Sequence, residues 1–386
     1  MRIAIVGPGF TGTTFPLAQH LVEAGHHVDC YYFTVSGKVS IESLDFKSPI
    51  SIQKIIYEVE KSNSLYRYLN PSINVYVLPV LRRHFKLESY YVGNAIRWTN
   101  LARVKIFNKY FFKKNYDRVI LIDHSDETHY LAIALKKKGI KFITIYHEVL
   151  NNLITGGMRR EVIASLSSVD NVVVHCNDIK DIIIKESGIS NIVQRLSVIR
   201  FGAFESFWQY GEGKGFNGLT PGFLLFMGRI TPYKGVRYLY EAIEKLSHVH
   251  NLHIVIAGSG NDDVLEKIRN DRRFTLINRF IENDEIAWLT RNCSAIVCPY
   301  VAASQSGMIG LSLAYGKPMI ATRVGAFPEV IKEGENGYLA EPCDSDSFAS
   351  AIQRYLNSAS VFVFKSTEEM KWGRITKQYI TLLERI

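Results

Sequence analysis

Short apolar runs alternate with stretches of helical spacing along almost the whole chain, and the runs end in loops of small or polar residues. No other feature of the sequence narrows the fold as far. Alternation of this kind predicts a parallel sheet with helices on both faces, an α/β architecture. In such sheets ligands gather beyond the carboxyl ends of the strands. The first unit is a strand over 2–6, the loop Gly7-Pro8-Gly9-Phe10-Thr11-Gly12, a helix over 17–24 and a strand over 27–33. Its GxGxxG pattern is weak evidence for a dinucleotide. That function wants an acidic residue at the end of the second strand, where Tyr31-Tyr32-Phe33 stands, and Asp29 falls in mid-strand. A tight turn with substrate contact is the better reading.

Further strands are predicted over 73–78, 118–123, 142–146, 171–176 and 197–201, and a helix over 129–138. Residues 50–68 have helix-like apolar spacing. From 90 to 112 the apolar residues Trp98, Leu101, Val104, Phe107 and Phe111 recur at three and four, which predicts an amphipathic helix. The loops 7–13, 123–127 and His147-Glu148 stand at strand ends, where His147 is either satisfied by backbone or faces a ligand.

Residues 205–221 are rich in glycine and poor in periodicity, and read as a linker. After them the alternation restarts, so the chain reads as two Rossmann-like halves: 1–204 and 222–365, followed by a terminal segment 366–386. In that last segment Ser366 and Glu369 fit a capping box. Trp372, Ile375, Tyr379, Leu382 and Ile386 form an apolar stripe that must pack on something, plausibly back across the seam between the halves.

The second half holds the most informative stretch. An apolar strand over 295–298 ends at Pro299, the loop Ser304-Gln305-Ser306-Gly307 follows, and a short apolar helix runs over 308–315 to Gly316 as its cap. Strand, small-residue loop and helix N-terminus make an anion site, because free N–H groups and the positive end of the helix dipole point at one spot. The alternative is a loop that is small because loops are small. Between a strand over 223–227 and its helix lies Gly228-Arg229-Ile230-Thr231-Pro232-Tyr233-Lys234-Gly235. Its two cations suit a diphosphate, the guanidinium as a fork and the ammonium as a point charge. Gly258-Ser259-Gly260 and Arg279-Phe280-Ile281 end the next two strands on the same side.

Charge is unevenly spread. Of the net +9, residues 82–114 carry nine cations (Arg82, Arg83, Lys86, Arg97, Arg103, Lys105, Lys109, Lys113 and Lys114) against Glu88 alone. A solvated helix face is one reading and an anionic membrane surface the other. No nucleic-acid module accompanies the charge, so nucleic acid is not expected. The five cysteines are scattered and show no metal-ligand spacing, which fits a reducing, cytoplasmic setting. Met1 to Val6 runs straight into a strand, with no expected signal peptide, and no stretch approaches the roughly 18 apolar residues of a membrane span.

Gly228-Arg229…Lys234-Gly235, Ile256-Ala257-Gly258-Ser259-Gly260, Ala314-Tyr315-Gly316-Lys317-Pro318-Met319-Ile320-Ala321-Thr322 and Gly325-Ala326-Phe327-Pro328-Glu329-Val330 together resemble the donor half of family-4 glycosyltransferases. These are retaining enzymes of the GT-B fold, with two Rossmann-like domains facing a central cleft and a C-terminal helix crossing back. The Gly25-His26 pair after the first helix and the Lys371-Trp372 helix add to the likeness. The resemblance implies a nucleotide-diphosphate sugar donor, UDP- or GDP-linked, and a saccharide or lipid-linked acceptor in surface polysaccharide or glycolipid synthesis. It implies no cofactor and no bound metal. By the same resemblance Arg229 and Lys234 hold the diphosphate, Gly228 and Gly258 shape the loops around it, and Ser304 to Ile309, with Gly307 and Met308, offer backbone N–H groups. Phe280 and Ile281 border the base, Gly12 approaches from the other half, and His147 lies near the transferred sugar. Such an enzyme would work in the cytoplasm, at the inner face of the membrane if the basic segment docks there.

One departure stands out. The family carries two glutamates eight residues apart; alignment on Ala314-x-Gly316 puts them at Ala303 and Leu311. Ser304, Gln305 and Ser306 would then hold the hydroxyls. A subgroup with a Gln-Ser-Gly loop at this place makes the chain a variant, while a nucleotide-sugar epimerase of the same fold and a binding-only pseudoenzyme remain alternatives. Asp344-Ser345-Asp346 looks like a metal-binding DxD, but its place before a helix over 348–356 favours an N-cap. Asp123-His124-Ser125-Asp126 reads as acceptor-side lining at most.

Overall fold

The computed structural model describes residues 1–35, 40–41, 44–45, 50–81, 90–147, 149, 158–167, 169–358 and 368–386. Arg82, Arg83, Lys86, Glu88, Glu148 and Ser366 lie outside the described residues. Two parallel sheets carry the fold. Among the described residues the first has eight strands, in the spatial order Leu196–Val198, Val172–Val174, Lys141–Ile145, Arg118–Ile122, Arg2–Gly7, His27–Val35, Asn74–Val80 and Tyr57–Glu58. Only the last strand pairs antiparallel. The second has six, ordered Phe274–Ile277, Ile254–Ala257, Leu224–Met227, Ala295–Cys298, Met319–Thr322 and Gly337–Ala340.

The central strands read as continuous apolar runs because helices cover both faces. Ile3 to Val6 and Ile254 to Ala257 are fully buried. The helices show one apolar stripe each: Val236–Lys245 buries Val236, Leu239, Ala242 and Ile243. The helix Tyr90–Phe112 buries Leu101, Val104, Phe107 and Phe111 as its spacing predicts, but leaves Trp98 exposed.

The terminal helix Trp372–Arg385 belongs to the first half by packing. Trp372, Ile375, Tyr379 and Leu383 share a core with Ile3, Phe15 and Leu17. The Trp372 indole N–H donates to Ala203 O at 2.9 Å, and Arg118 Nε to Leu383 O at 2.7 Å. The helix starts at Trp372 with Lys371 at its N-cap and no side-chain cap, so Glu369 caps nothing here; it pairs with Arg200 instead.

Two segments make more contacts than their sequence spacing suggests, and the first of them departs from the helix it predicts. Residues 50–68 form no α-helix but turns, the strand Tyr57–Glu58 and a 3-10 turn Ser64–Arg67. Arg103 takes the carbonyls of Ile52 (2.8 Å) and Lys54, and Asn63 turns its side chain onto the Leu65 N–H (3.0 Å). Turns closed by Asn63 and anchored by the Arg103 guanidinium set a path that a helix cannot follow. Residues 205–221 are no free connector either. Glu205–Tyr210 is a 3-10 helix with Phe207 buried, Trp208 Nε1 donates to Ala314 O at 3.0 Å, and the Lys214 N–H donates to Asp284 O at 3.1 Å. The segment bonds within itself, as Gln209 Nε2 does to Ser206 O at 2.8 Å, and also to the first half, where the Tyr68 hydroxyl donates to Glu205 at 3.3 Å.

Candidate functional site

The strand Ala295–Cys298 is fully buried and delivers the chain to Pro299. Ser306 then caps the helix Gly307–Tyr315, its Oγ accepting the Met308 N–H at 3.3 Å, and Gly316 closes that helix in the left-handed region at φ 64°. An apolar helix suits a site with core on nearly every side, and its positive end emerges at Gly307. Beside it the turn Pro232–Lys234 brings the Lys234 ammonium 3.7 Å above the centroid of the buried Tyr300 ring. A cation held over a ring face is partly desolvated and fixed in place.

Two cavities open between the halves. The larger, about 960 Å³, has Phe33, Val35, Val80 and Glu127 on one wall and Phe280, Ile281, Asn283 and Ile286 on the other. The smaller, about 300 Å³, lies between Phe10, Thr13, His147 and Phe201 on one side and Tyr233, Ala303, Ser304 and Gln305 on the other. Gly12, Phe204, Lys234 and Gly307 line both and form the partition.

His147 is held from several directions. Its backbone N–H donates to Asp123 Oδ1 at 2.7 Å, and its ring stacks on Phe10 with centroids 3.9 Å apart. Thr13 Oγ1 lies 3.2 Å from Nε2 and 2.9 Å from Phe10 O. With the hydroxyl hydrogen given to Phe10 O, the Thr13 oxygen accepts from Nε2–H, which assigns Nδ1 as the bare acceptor. Nδ1 is buried without a hydrogen-bond partner among the described residues. Burial first, and the neighbouring His175 second, hold the His147 imidazole well below the ordinary histidine range. Burial pushes His175 down to about 4, against the Ile199 carbonyl bonded to its Nδ1. Both rings are neutral at pH 7.

Across the small cavity the Gln305 side chain is buried at both Oε1 and Nε2, with no partner for either among the described residues. A buried primary amide with nothing to bond is costly, and such groups are made whole by ligand or water. The arrangement offers a neutral acceptor, an amide with both polarities, a helix N-terminus and a lysine around a space the size of one sugar ring.

Of the residues singled out from sequence, Lys234, His147, Gly12, Ser304, Gln305 and Gly307 line the small cavity. Gly228, Phe280, Ile281, Ser306 and Met308 line the large one. Arg229 is exposed and lines neither. Ile309 is buried in the core, and Gly258 serves packing: a Cβ there would sit 1.9 Å from Gly228 O. Ala303 and Leu311 face the small and large cavities respectively. Thr13 and Glu127 lie in the loops 7–13 and 123–127 placed at strand ends, while Phe204 and the Phe33, Val35 and Val80 wall went unread. Phe204 sits in no periodic pattern, and only the meeting of the two halves gives it a place. Asp344 caps the helix Ser345–Asn357, accepting the Ser347 N–H at 2.9 Å. Asp29 accepts from Asn74 Nδ2 at 2.8 Å and from Tyr116 in mid-strand, away from both cavities.

Residues 221–358 match the family described as Glycosyl transferases group 1. Over 174 residues the chain is 31% identical to an uncharacterized glycosyltransferase of Methanocaldococcus jannaschii, covering 41% of this chain and 44% of that one. Over 175 residues it is 25% identical to a phosphatidyl-myo-inositol mannosyltransferase of Mycolicibacterium smegmatis, covering 42% and 45%. The matches thus span less than half the length of these curated relatives. A protein of Anabaena solved in complex with UDP and glucose superposes over 100% of both chains with a TM-score of 0.64 at 13% identity, which speaks to the fold. Residues 221–358 are thus similar to group 1 glycosyltransferases, and the chain has a GT-B fold of two parallel-sheet halves around a cleft.

Proposed function

We propose that this protein transfers a sugar from a nucleotide-diphosphate sugar, UDP- or GDP-linked, to a saccharide or lipid-linked acceptor in surface polysaccharide or glycolipid synthesis, with retention at the anomeric carbon. The observation that carries the reading is the convergence of Lys234, the Gly307 end of the helix, His147 and Gln305 on one cavity between the halves. In this account the sugar lies in the small cavity, against Gln305, Ser304 and the neutral His147 ring. The diphosphate lies at the Gly307 end of the helix beside Lys234, and the nucleoside extends past Ile281 and Phe280 into the large cavity.

As the bond to the leaving phosphate breaks, its growing negative charge meets the helix N-terminus and the Lys234 ammonium. Preformed charge of this kind stabilises the transition state without reorganising at the moment of reaction. No carboxylate lines the small cavity among the described residues, so no protein nucleophile is at hand for a covalent intermediate. Attack on the face that the phosphate leaves then accounts for retention. The test is incubation with a panel of nucleotide sugars, following release of nucleotide and free sugar. Slow hydrolysis of one donor, lost in Lys234→Ala, supports the transferase. A product that is the epimer of the input sugar would make it an epimerase. Tight binding with no turnover in the presence of saccharide and lipid-linked acceptors would leave a binding protein.

A further inference from the structure

The helix Tyr90–Phe112 has a face that stays exposed among the described residues. At 100° per residue Trp98, Ala102, Lys105, Ile106 and Lys109 fall within one stripe roughly 100° wide, opposite the buried Val104, Phe107 and Phe111, and Lys113 follows in the turn just past the helix end. All six are exposed, Trp98 at 68% and Ile106 at 52%. Soluble packing does not explain an indole placed outward, and the three lysines form no ion pair or hydrogen bond among the described residues. No acidic residue falls in the stripe. The same side gains charge from the next helix, Asp126–Lys137, whose end presents Lys137 and Lys138; the Lys138 ammonium lies 5.5 Å above the Phe112 ring.

We infer that this face docks on an anionic lipid bilayer. An exposed tryptophan and isoleucine amid unpaired lysines is the chemistry of an interfacial helix: the indole settles at headgroup depth and the ammonium groups meet acidic headgroups. The stripe also lies beside the cleft. Asn100 exchanges hydrogen bonds with both backbone groups of Leu81 (2.9 and 3.2 Å), and Arg103 Nε donates to Pro79 O at 3.0 Å, so the Trp98 turn is tied to the strand end carrying Val80. Arg97 pairs with Asp126 at 3.3 Å, next to Glu127. Val80 and Glu127 both line the large cavity. Docking through Trp98 therefore sets the mouth of that cavity against the membrane, where an acceptor carried on a lipid would enter. The docking stands whether or not the transfer reading holds; only this last consequence rests on it.

The test is flotation of the full chain with vesicles of phosphatidylcholine alone and of phosphatidylcholine with phosphatidylglycerol, at low and high salt. The protein should float with the anionic vesicles, far less with neutral ones, and less as salt rises. Replacing Lys105, Lys109 and Lys113 together by Gln should lower partitioning on the order of a hundredfold. Trp98→Ser should lower it about tenfold. Both variants change exposed side chains, and unchanged circular dichroism and nucleotide response would show the fold intact. Equal binding to neutral vesicles, no binding to either kind, or variants that float like the parent would overturn the inference. So would a lysine variant that loses self-association or nucleic-acid binding while its lipid binding stays the same.

Discussion

The Phe204 ring occupies the space that a side chain at Gly310 would need: a Cβ there would lie 2.2 Å from Cδ1. The backbone clasps the same pair, with the Phe204 N–H donating to Gly310 O at 2.9 Å. The ring also stands 2.9 Å from a Cβ placed on Gly12 and 3.3 Å from one on Gly307. One aromatic side chain thus meets three glycines, one from the first half and two from the helix whose positive end faces the cleft. It fixes how closely the halves approach and divides the two cavities.

Gly310→Ala must therefore push the ring aside. We expect a loss of about 1–3 kcal/mol in stability, the ordinary result of overfilling a packed site. Phe204→Ala removes the obstacle, so the double variant should be less destabilised than the sum of the two single changes. Denaturant unfolding of the four proteins measures that coupling, and simple additivity would show the contact to be slack.

Gln305→Ala and Lys234→Ala should separate the two parts of the ligand. Without Gln305 the protein should bind a nucleoside diphosphate as before and lose about 5- to 10-fold in affinity for the matching nucleotide sugar, one or two neutral hydrogen bonds' worth. Without Lys234 both ligands should weaken by about tenfold or more, since a charge-assisted contact to phosphate is lost. Titration calorimetry with each pair of ligands reads the difference.

The buried histidines give a signed pH dependence. His175 titrates at about 4 in the fold against 6.5 unperturbed, so as pH falls the unfolded chain takes up the proton first. Its stability contribution is intact above pH 6.5 and is lost progressively toward pH 4, by roughly 3 kcal/mol in all. His147 acts in the same direction, and His20, raised by Glu205 against its burial, acts in the opposite one. Comparison with His175→Gln isolates the first group. The variant's melting temperature should fall less steeply than the parent's between pH 6.5 and 4.

Glu329 spans the seam behind the cleft. It accepts the Asn177 N–H at 2.8 Å, Asn177 Nδ2 at 3.0 Å and Arg200 Nη2 at 2.8 Å, and its side chain is 17% exposed. Glu329→Ala leaves those donors unmet and should lower stability by about 1–3 kcal/mol. Glu329→Gln, which keeps an acceptor but not the charge, should recover part of the loss in the same melting measurement.

Much of this was legible in the residues. The ends of the helix Tyr90–Phe112, the Ser306 loop with Gly316 as its stop, and the apolar stripe of the terminal helix are local patterns, and local patterns survive folding. Residues 50–68 misled because their backbone is held in turns by Asn63 and by Arg103, which lies 49 to 51 residues from the carbonyls it takes. Phe204 was invisible because its meaning lies in three glycines from two different segments. Arg229 shows the converse: a cation in the right loop whose side chain stands exposed outside both cavities.

The most direct test of the donor site is a thermal-shift panel of UDP, GDP and ADP and their sugars, with and without EDTA. A ligand that binds only the folded protein raises its melting temperature by mass action. The account predicts a shift with one nucleotide family, larger with its sugar, unchanged by EDTA, and much reduced in Lys234→Ala. No shift with any member of the panel would contradict it and leave the Ser304–Gly307 loop as a turn that merely closes the fold.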